Sequence, residues 1–166
     1  MKTLYLVRHA KSSWKDELMD DFERPLNARG RRDAPVIASV LRRWNISPDL
    51  ILASPANRAI TTARIFAKVL GYAEDRIVTL MTIYDASPLK LIEIVQQIET
   101  PVEQGMLFGH NTALTETANL LTNASIENIP TCGVVAVDFD LSSWKDVRKG
   151  SGTVKFAEFP KTYFPE

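Results

Sequence analysis

Thr3-Leu4-Tyr5-Leu6-Val7-Arg8-His9 decides how the rest of the chain is read. An apolar run of this length, not alternating with polar residues, is what a strand buried on both faces of a parallel sheet requires. It is too short for the core of a signal peptide, and it ends on two polar residues rather than on small ones. The same pattern recurs downstream. Leu50-Ile51-Leu52-Ala53 runs into Ser54-Pro55, and Gly105 to Phe108 runs into Gly109-His110. Arg76 to Leu80 is read as a further strand. Two β-like runs close the chain, Gly133 to Phe139 and Thr153 to Phe159, and the tight Lys149-Gly150-Ser151-Gly152 turn between them predicts an antiparallel edge.

Helical periodicity fills the gaps between the strands. Asn27 is a plausible N-cap for a helix presenting Ala34, Ile37, Ala38 and Leu41 on one face. Pro35 within that span means that the helix either starts late or kinks. After Ser54-Pro55 come Ile60, Ala63, Phe66, Val69 and Leu70, with Gly71 as the stop. Ser87 caps a helix through Leu91, Ile94, Val95 and Ile98, with Pro88 at its first position. Asn111 or Thr112 opens another, through Leu114, Ala118 and Leu121. Strand and helix alternate without a linker or repeat, so residues 1–166 read as one α/β domain.

Composition narrows the function classes. The chain has 20 Lys plus Arg against 20 Asp plus Glu, so no global field favours nucleic acid or an acidic membrane surface. No apolar stretch approaches the length of a membrane span. The single cysteine, Cys132, has no partner within the chain, which suits a reducing cytoplasm.

In an open parallel sheet, ligands bind at the carboxyl ends of the strands. The first strand delivers Arg8 and His9, the second Ser54 with Arg58 close behind, and the fourth His110 with Asn111 beside it. A histidine after one strand is commonly a hydrogen-bonded turn residue. Two histidines and two arginines on three strand ends are a constellation. Guanidinium groups bind phosphate oxygens bidentately and stay charged, and a helix start after Ser54-Pro55 adds oriented N–H donors. Two histidines with cationic neighbours and few acids would repel a divalent ion, so neither metal nor other cofactor is expected. The same cations would lower a histidine's pKa and keep it neutral, the form that attacks phosphorus.

Three blocks carry a resemblance. Leu6-Val7-Arg8-His9-Ala10, Ser54-Pro55-Ala56-Asn57-Arg58-Ala59-Ile60-Thr61-Thr62-Ala63 and Gly109-His110-Asn111 resemble, in order, the motifs of the histidine phosphatase superfamily. Arg8-His9-Ala10-Lys11-Ser12-Ser13-Trp14 and Asp21-Phe22-Glu23-Arg24-Pro25-Leu26-Asn27-Ala28-Arg29-Gly30 are similar to its SixA-type phosphohistidine phosphatases. The resemblance implies a phosphoglycerate mutase-like fold: three α/β/α layers, a mostly parallel central sheet and helices on both faces. It implies His9 as the nucleophile and Arg8, Arg58 and His110 as holders of the phosphoryl oxygens. Asn111 is a further candidate for substrate binding. Arg24 either reaches substrate or is a solvated loop residue.

Many members of the family carry an acid after the third strand. Here Thr82-Ile83-Tyr84-Asp85-Ala86 offers Asp85, either a general acid or a polar residue before the Ser87 cap. An alkoxide needs a positioned acid on departure, whereas imidazole, with a pKa of about 6.5, leaves neutral with a proton from solvent. The expected partner is therefore a protein bearing phosphohistidine, or else a small phosphorylated metabolite. The alternatives are a small-molecule phosphomonoester phosphatase, a phosphoglycerate mutase-like enzyme, or a non-catalytic phosphate-binding module.

Overall fold

Alternate residues of the buried strands enter opposite cores, and that alternation builds the layers. In the computed structural model, which describes residues 1–165, β1 (Lys2–Arg8) sends Tyr5 and Val7 to one side and Leu4 and Leu6 to the other. Around it lie β2 (Leu50–Ala53), β3 (Val78–Thr79), β4 (Gln104–Gly109), β5 (Val134–Phe139) and β6 (Gly152–Glu158), in the order β3-β2-β4-β1-β5-β6. The four strands from β3 to β1 are parallel, while β5 pairs antiparallel with both β1 and β6. α1 (Ala28–Arg43) and α2 (Asn57–Leu70) bury Ile37, Leu41, Ala63 and Phe66 against Tyr5, Ile51, Met106 and Phe108. α4 (Pro88–Gln96) and α5 (Ala113–Thr122) bury Leu91, Val95, Leu114 and Leu121 with Leu4, Leu6, Leu52 and Leu107. A one-turn helix, α3 (Met81–Tyr84), precedes α4. No helix among the described residues is long and apolar enough to cross a membrane.

Caps follow the sequence at most ends. Asn27 accepts from the Gly30 N–H and Ser87 from the Lys90 N–H, while Gly71 closes α2 at φ 75°. Three local expectations are corrected. α1 does not start late: it begins at Ala28 and continues beyond Pro35, whose carbonyl accepts from the Ser39 hydroxyl. Ile98 lies beyond the end of α4 at Gln96, although its side chain still joins the core.

The third strand is not Arg76 to Leu80 but only Val78–Thr79. The Tyr72 hydroxyl accepts from the Ile51 N–H at 3.3 Å and donates to the Arg76 carbonyl at 3.0 Å. Ile51 and Arg76 are thus occupied, residues 74–76 turn as a 3-10 helix, and pairing starts only at Leu52 with Val78.

Register brings the strand ends level. Arg8 pairs with Gly109 and Ala53 with Phe108, and the Ser54 N–H donates to the Phe108 carbonyl. His9, Ser54 and His110 therefore emerge together at one edge of the sheet.

Candidate active site

His9 leaves β1 in a fixed orientation. The backbone N–H of the next residue, Ala10, donates to Thr62 Oγ1 at 3.0 Å, and that hydroxyl donates to the Arg58 carbonyl at 2.7 Å. The His9 Nδ1 lies 2.7 Å from the Ala10 carbonyl oxygen. A carbonyl only accepts, so Nδ1 carries the proton and Nε2 presents its lone pair. The residue is 7% exposed. Burial, then His110, Arg58 and Arg8, push its pKa down to about 3 against the opposing Ala10 bond.

His110, at the end of β4, faces it with ring centroids 5.4 Å apart. Its Nε2 lies 2.8 Å from Ser54 Oγ, which itself accepts from the Ala56 N–H. The other partner of the fully buried Ser54 hydroxyl is a donor, so Nε2 is the acceptor left for its proton, and neutral His110 then carries its own proton on Nδ1. Burial and then Arg58 lower the His110 pKa to about 4, with Asp21 opposing.

Three guanidinium groups close the cradle. Arg8 donates from Nη1 to the Ile129 carbonyl at 3.0 Å. Arg58, in the first turn of α2, donates from Nη1 to the Asp21 carbonyl at 2.8 Å and from Nη2 to Asp21 Oδ2 at 3.0 Å. Arg24 Nε lies 3.2 Å from Asp21 Oδ1, and Trp14 covers its guanidinium with 3.4 Å between guanidinium carbon and ring centroid. Arg24 is 6% exposed, so the solvated-loop alternative does not hold. Burial lowers the pKa of Arg8, and burial with Arg58 nearby lowers that of Arg24.

Several buried donors in this cradle have no hydrogen-bond partner: Arg8 Nε, Arg24 Nη1, Arg58 Nε and His110 Nδ1. Buried polar atoms are almost always satisfied. Unmatched donors on four converging side chains are what an oxyanion would fill.

The other candidates lie beside the cradle. A cavity of about 350 Å³ opens next to His110, lined by Tyr84, Asp85, Leu91, Asn111 and Glu116 among others. Asn111 spends its amide on scaffolding: Nδ2 donates to Asn128 Oδ1 and the Ile129 carbonyl, and Oδ1 accepts from the Thr115 N–H and hydroxyl. Through Ile129 it steadies Arg8. It also does the capping at the start of α5, where Thr112 occupies the N-cap position without a side-chain bond. Asp85 is exposed on the cavity wall at the end of α3. Sequence reasoning missed Asp21 and Tyr84 as site residues. The Tyr84 hydroxyl donates to Asp21 Oδ2 at 2.7 Å, and its ring packs edge-on to His110. Tyr84, Arg58 and Arg24 hold the Asp21 carboxyl below the usual range, the Tyr84 bond foremost. Among the described residues no group of three or more His, Cys, Asp or Glu could hold a metal ion.

Comparison with known proteins bears directly on this arrangement. The family model of the histidine phosphatase superfamily (branch 1) matches residues 4–81. An uncharacterized chloroplastic protein of Arabidopsis thaliana is 32% identical over 91% of this chain and 72% of its own length. The chain belongs to the histidine phosphatase superfamily. A structure from Agrobacterium tumefaciens, assigned as the phosphohistidine phosphatase SixA, is 27% identical, covers 95% of this chain and 97% of its own, and superposes with a TM-score of 0.81. A protein histidine phosphatase SixA complexed with tungstate shares the fold at 17% identity and a TM-score of 0.83, covering 97% of this chain and 99% of its own. Superfamily and fold together support phosphatase activity on a phosphorylated substrate.

Proposed function

We propose that this histidine phosphatase is metal-independent and removes the phosphoryl group from phosphohistidine on a protein. One observation carries the reading: a neutral His9, with its Nε2 lone pair free, stands among buried, unmatched donors of three arginines and His110. In the first step Nε2 attacks phosphorus, the P–N bond to the substrate imidazole breaks, and that imidazole takes a proton from solvent. In the second step water attacks the phosphohistidine on His9, and inorganic phosphate departs. The guanidinium groups and His110 Nδ1–H meet the charge on the equatorial oxygens, a larger share in the transition state than in the ground state.

Two features support a phosphoramidate rather than an ester. The carboxylate in the cradle, Asp21, is held ionised and is a poor proton donor. The 27% identical structure is assigned as a phosphohistidine phosphatase. The second reading, a small phosphoester, is favoured by the cavity beside His110, whose volume suits a metabolite-sized leaving group.

The test is to incubate the protein with a labelled phosphodonor, quench in base and locate the label. Label on His9, and none in a folded His9→Ala protein, is expected. Turnover of a phosphohistidine protein should exceed that of 3-phosphoglycerate and of an aryl phosphate. Near wild-type activity in His9→Ala would refute the mechanism, and a marked preference for 3-phosphoglycerate would replace the substrate.

A further inference from the structure

The cradle contains a carboxylate where oxyanion binding alone would call for none. Asp21 stands in the segment 12–26, which leaves the sheet edge after β1 and whose two ends pair in a bridge between Ser12 and Leu26. The segment is moored over the site by Asn57 Nδ2 donating to the Glu23 carbonyl at 3.0 Å, and by Phe22 packing edge-on to Tyr84 at 5.2 Å. Asp21 takes two donors of Arg58 and the ion-pair face of Arg24, and Tyr84 pins its Oδ2. Arg58 Nε and Arg24 Nη1, on these same guanidinium groups, are left for a ligand.

We infer that Asp21 is a positioning residue that limits how tightly the site holds an oxyanion, so that the phosphate product leaves. The inference rests on the phosphatase reading above. The carboxylate aims the guanidinium groups and partly neutralises them. Because Tyr84 and the Asp21 backbone contact fix it independently of any ligand, a phosphate dianion entering beside it meets a standing negative charge. Without that charge, the cations would act on phosphate undiminished, and release would slow.

The experiment is calorimetric titration of the full chain with inorganic phosphate at low ionic strength, alongside steady-state kinetics. Asp21→Asn should bind phosphate about tenfold more tightly than wild type. Its kcat and KM should fall together as release becomes slower. Asp21→Glu should return phosphate affinity toward the wild-type value, and added salt should shrink the difference. A gain in affinity is the discriminating readout, because simple damage to the site loosens binding. If Asp21→Asn does not fold, Asp21→Ser removes the same charge and is judged by the same criterion. Phosphate affinity equal to or weaker than wild type in the folded variant overturns the inference. Wild-type protein that binds no phosphate, or binding that survives Arg58→Ala, overturns the phosphatase reading instead.

Discussion

Thr62→Val replaces a hydroxyl with a methyl group of nearly the same shape at a position with no exposed surface. The packing is preserved, and the Ala10 N–H loses its acceptor at 3.0 Å inside the protein. Leaving a buried donor unsatisfied costs about 1–3 kcal/mol. For a chain of this size each kcal/mol lowers Tm by about 2–4 °C, so the expected loss is about 2–12 °C. The catalytic effect should be larger than that figure suggests. The unanchored N–H belongs to the peptide joining His9 to Ala10, and the His9 ring is oriented by the Ala10 carbonyl. Displacing a nucleophile by about 1 Å can cost about a hundredfold in rate, so kcat should drop by about 10- to 100-fold. Thermal melts and aryl phosphate kinetics on Thr62→Val and Thr62→Ser separate the causes. Thr62→Ser keeps the hydroxyl and should retain most of the activity. Wild-type activity in Thr62→Val with a loss in Thr62→Ser would mean that the methyl contact matters and the hydrogen bond does not. Wild-type kcat and Tm in Thr62→Val would refute the anchoring argument altogether.

Other outcomes follow from the same geometry. With folded pKa values of about 3 for His9 and about 4 for His110, both below the unfolded value of about 6.5, the unfolded chain takes up protons first on acidification. Stability should thus fall from about pH 6.5 downward, by up to about 1.4 kcal/mol per pH unit per histidine. Denaturant unfolding at pH 7 and pH 5 checks this, and His9→Ala should flatten the slope; equal stability at the two values would contradict it. Gly30→Ala would place a Cβ 2.2 Å from the Lys11 carbonyl oxygen, a backbone atom. It should cost about 1–3 kcal/mol by overpacking and reduce kcat through the adjoining His9-Ala10 turn, and an unchanged melt would refute the clash. Asp85→Asn should change phosphohistidine turnover by less than about tenfold, while wild-type rates across aryl and alkyl phosphates should fall steeply with leaving-group pKa. A flat wild-type series that steepens in Asp85→Asn would make Asp85 a working acid and favour the ester reading. Chelators should leave the rate unchanged; loss of activity restored by a divalent ion would contradict the metal-free mechanism.

What the sequence disclosed and what it withheld divide along physical lines. Buried parallel strands announce themselves locally, and the residues just past them inherit a predictable place. His9, Ser54 and His110 were legible for that reason, and Arg58 because it opens the helix that follows. The edge strand was overestimated because its length is set by a side chain: the Tyr72 hydroxyl occupies Ile51 and Arg76. Arg24 stood open between substrate contact and a solvated loop because nothing in its own neighbourhood shows that Trp14, ten positions earlier, folds over it. Asp21 and Tyr84 were invisible as a pair. They lie 63 residues apart, in a 3-10 turn and a one-turn helix, elements too short to carry any periodicity.

The placement of β1 has a temporal consequence. Flanked by β4 on one side and β5 on the other, it cannot detach without opening the middle of the sheet, so its amides should exchange with solvent deuterium only in the rarest openings. The segment 12–26 begins three residues past His9, closes on itself through the Ser12–Leu26 bridge and is tied to the rest of the fold chiefly by side chains. Its exposed amides should exchange sooner than those of β1. The reacting nitrogen is thus fastened to the part of the molecule slowest to open, and its geometry should outlast many exchanges in the segment that covers it.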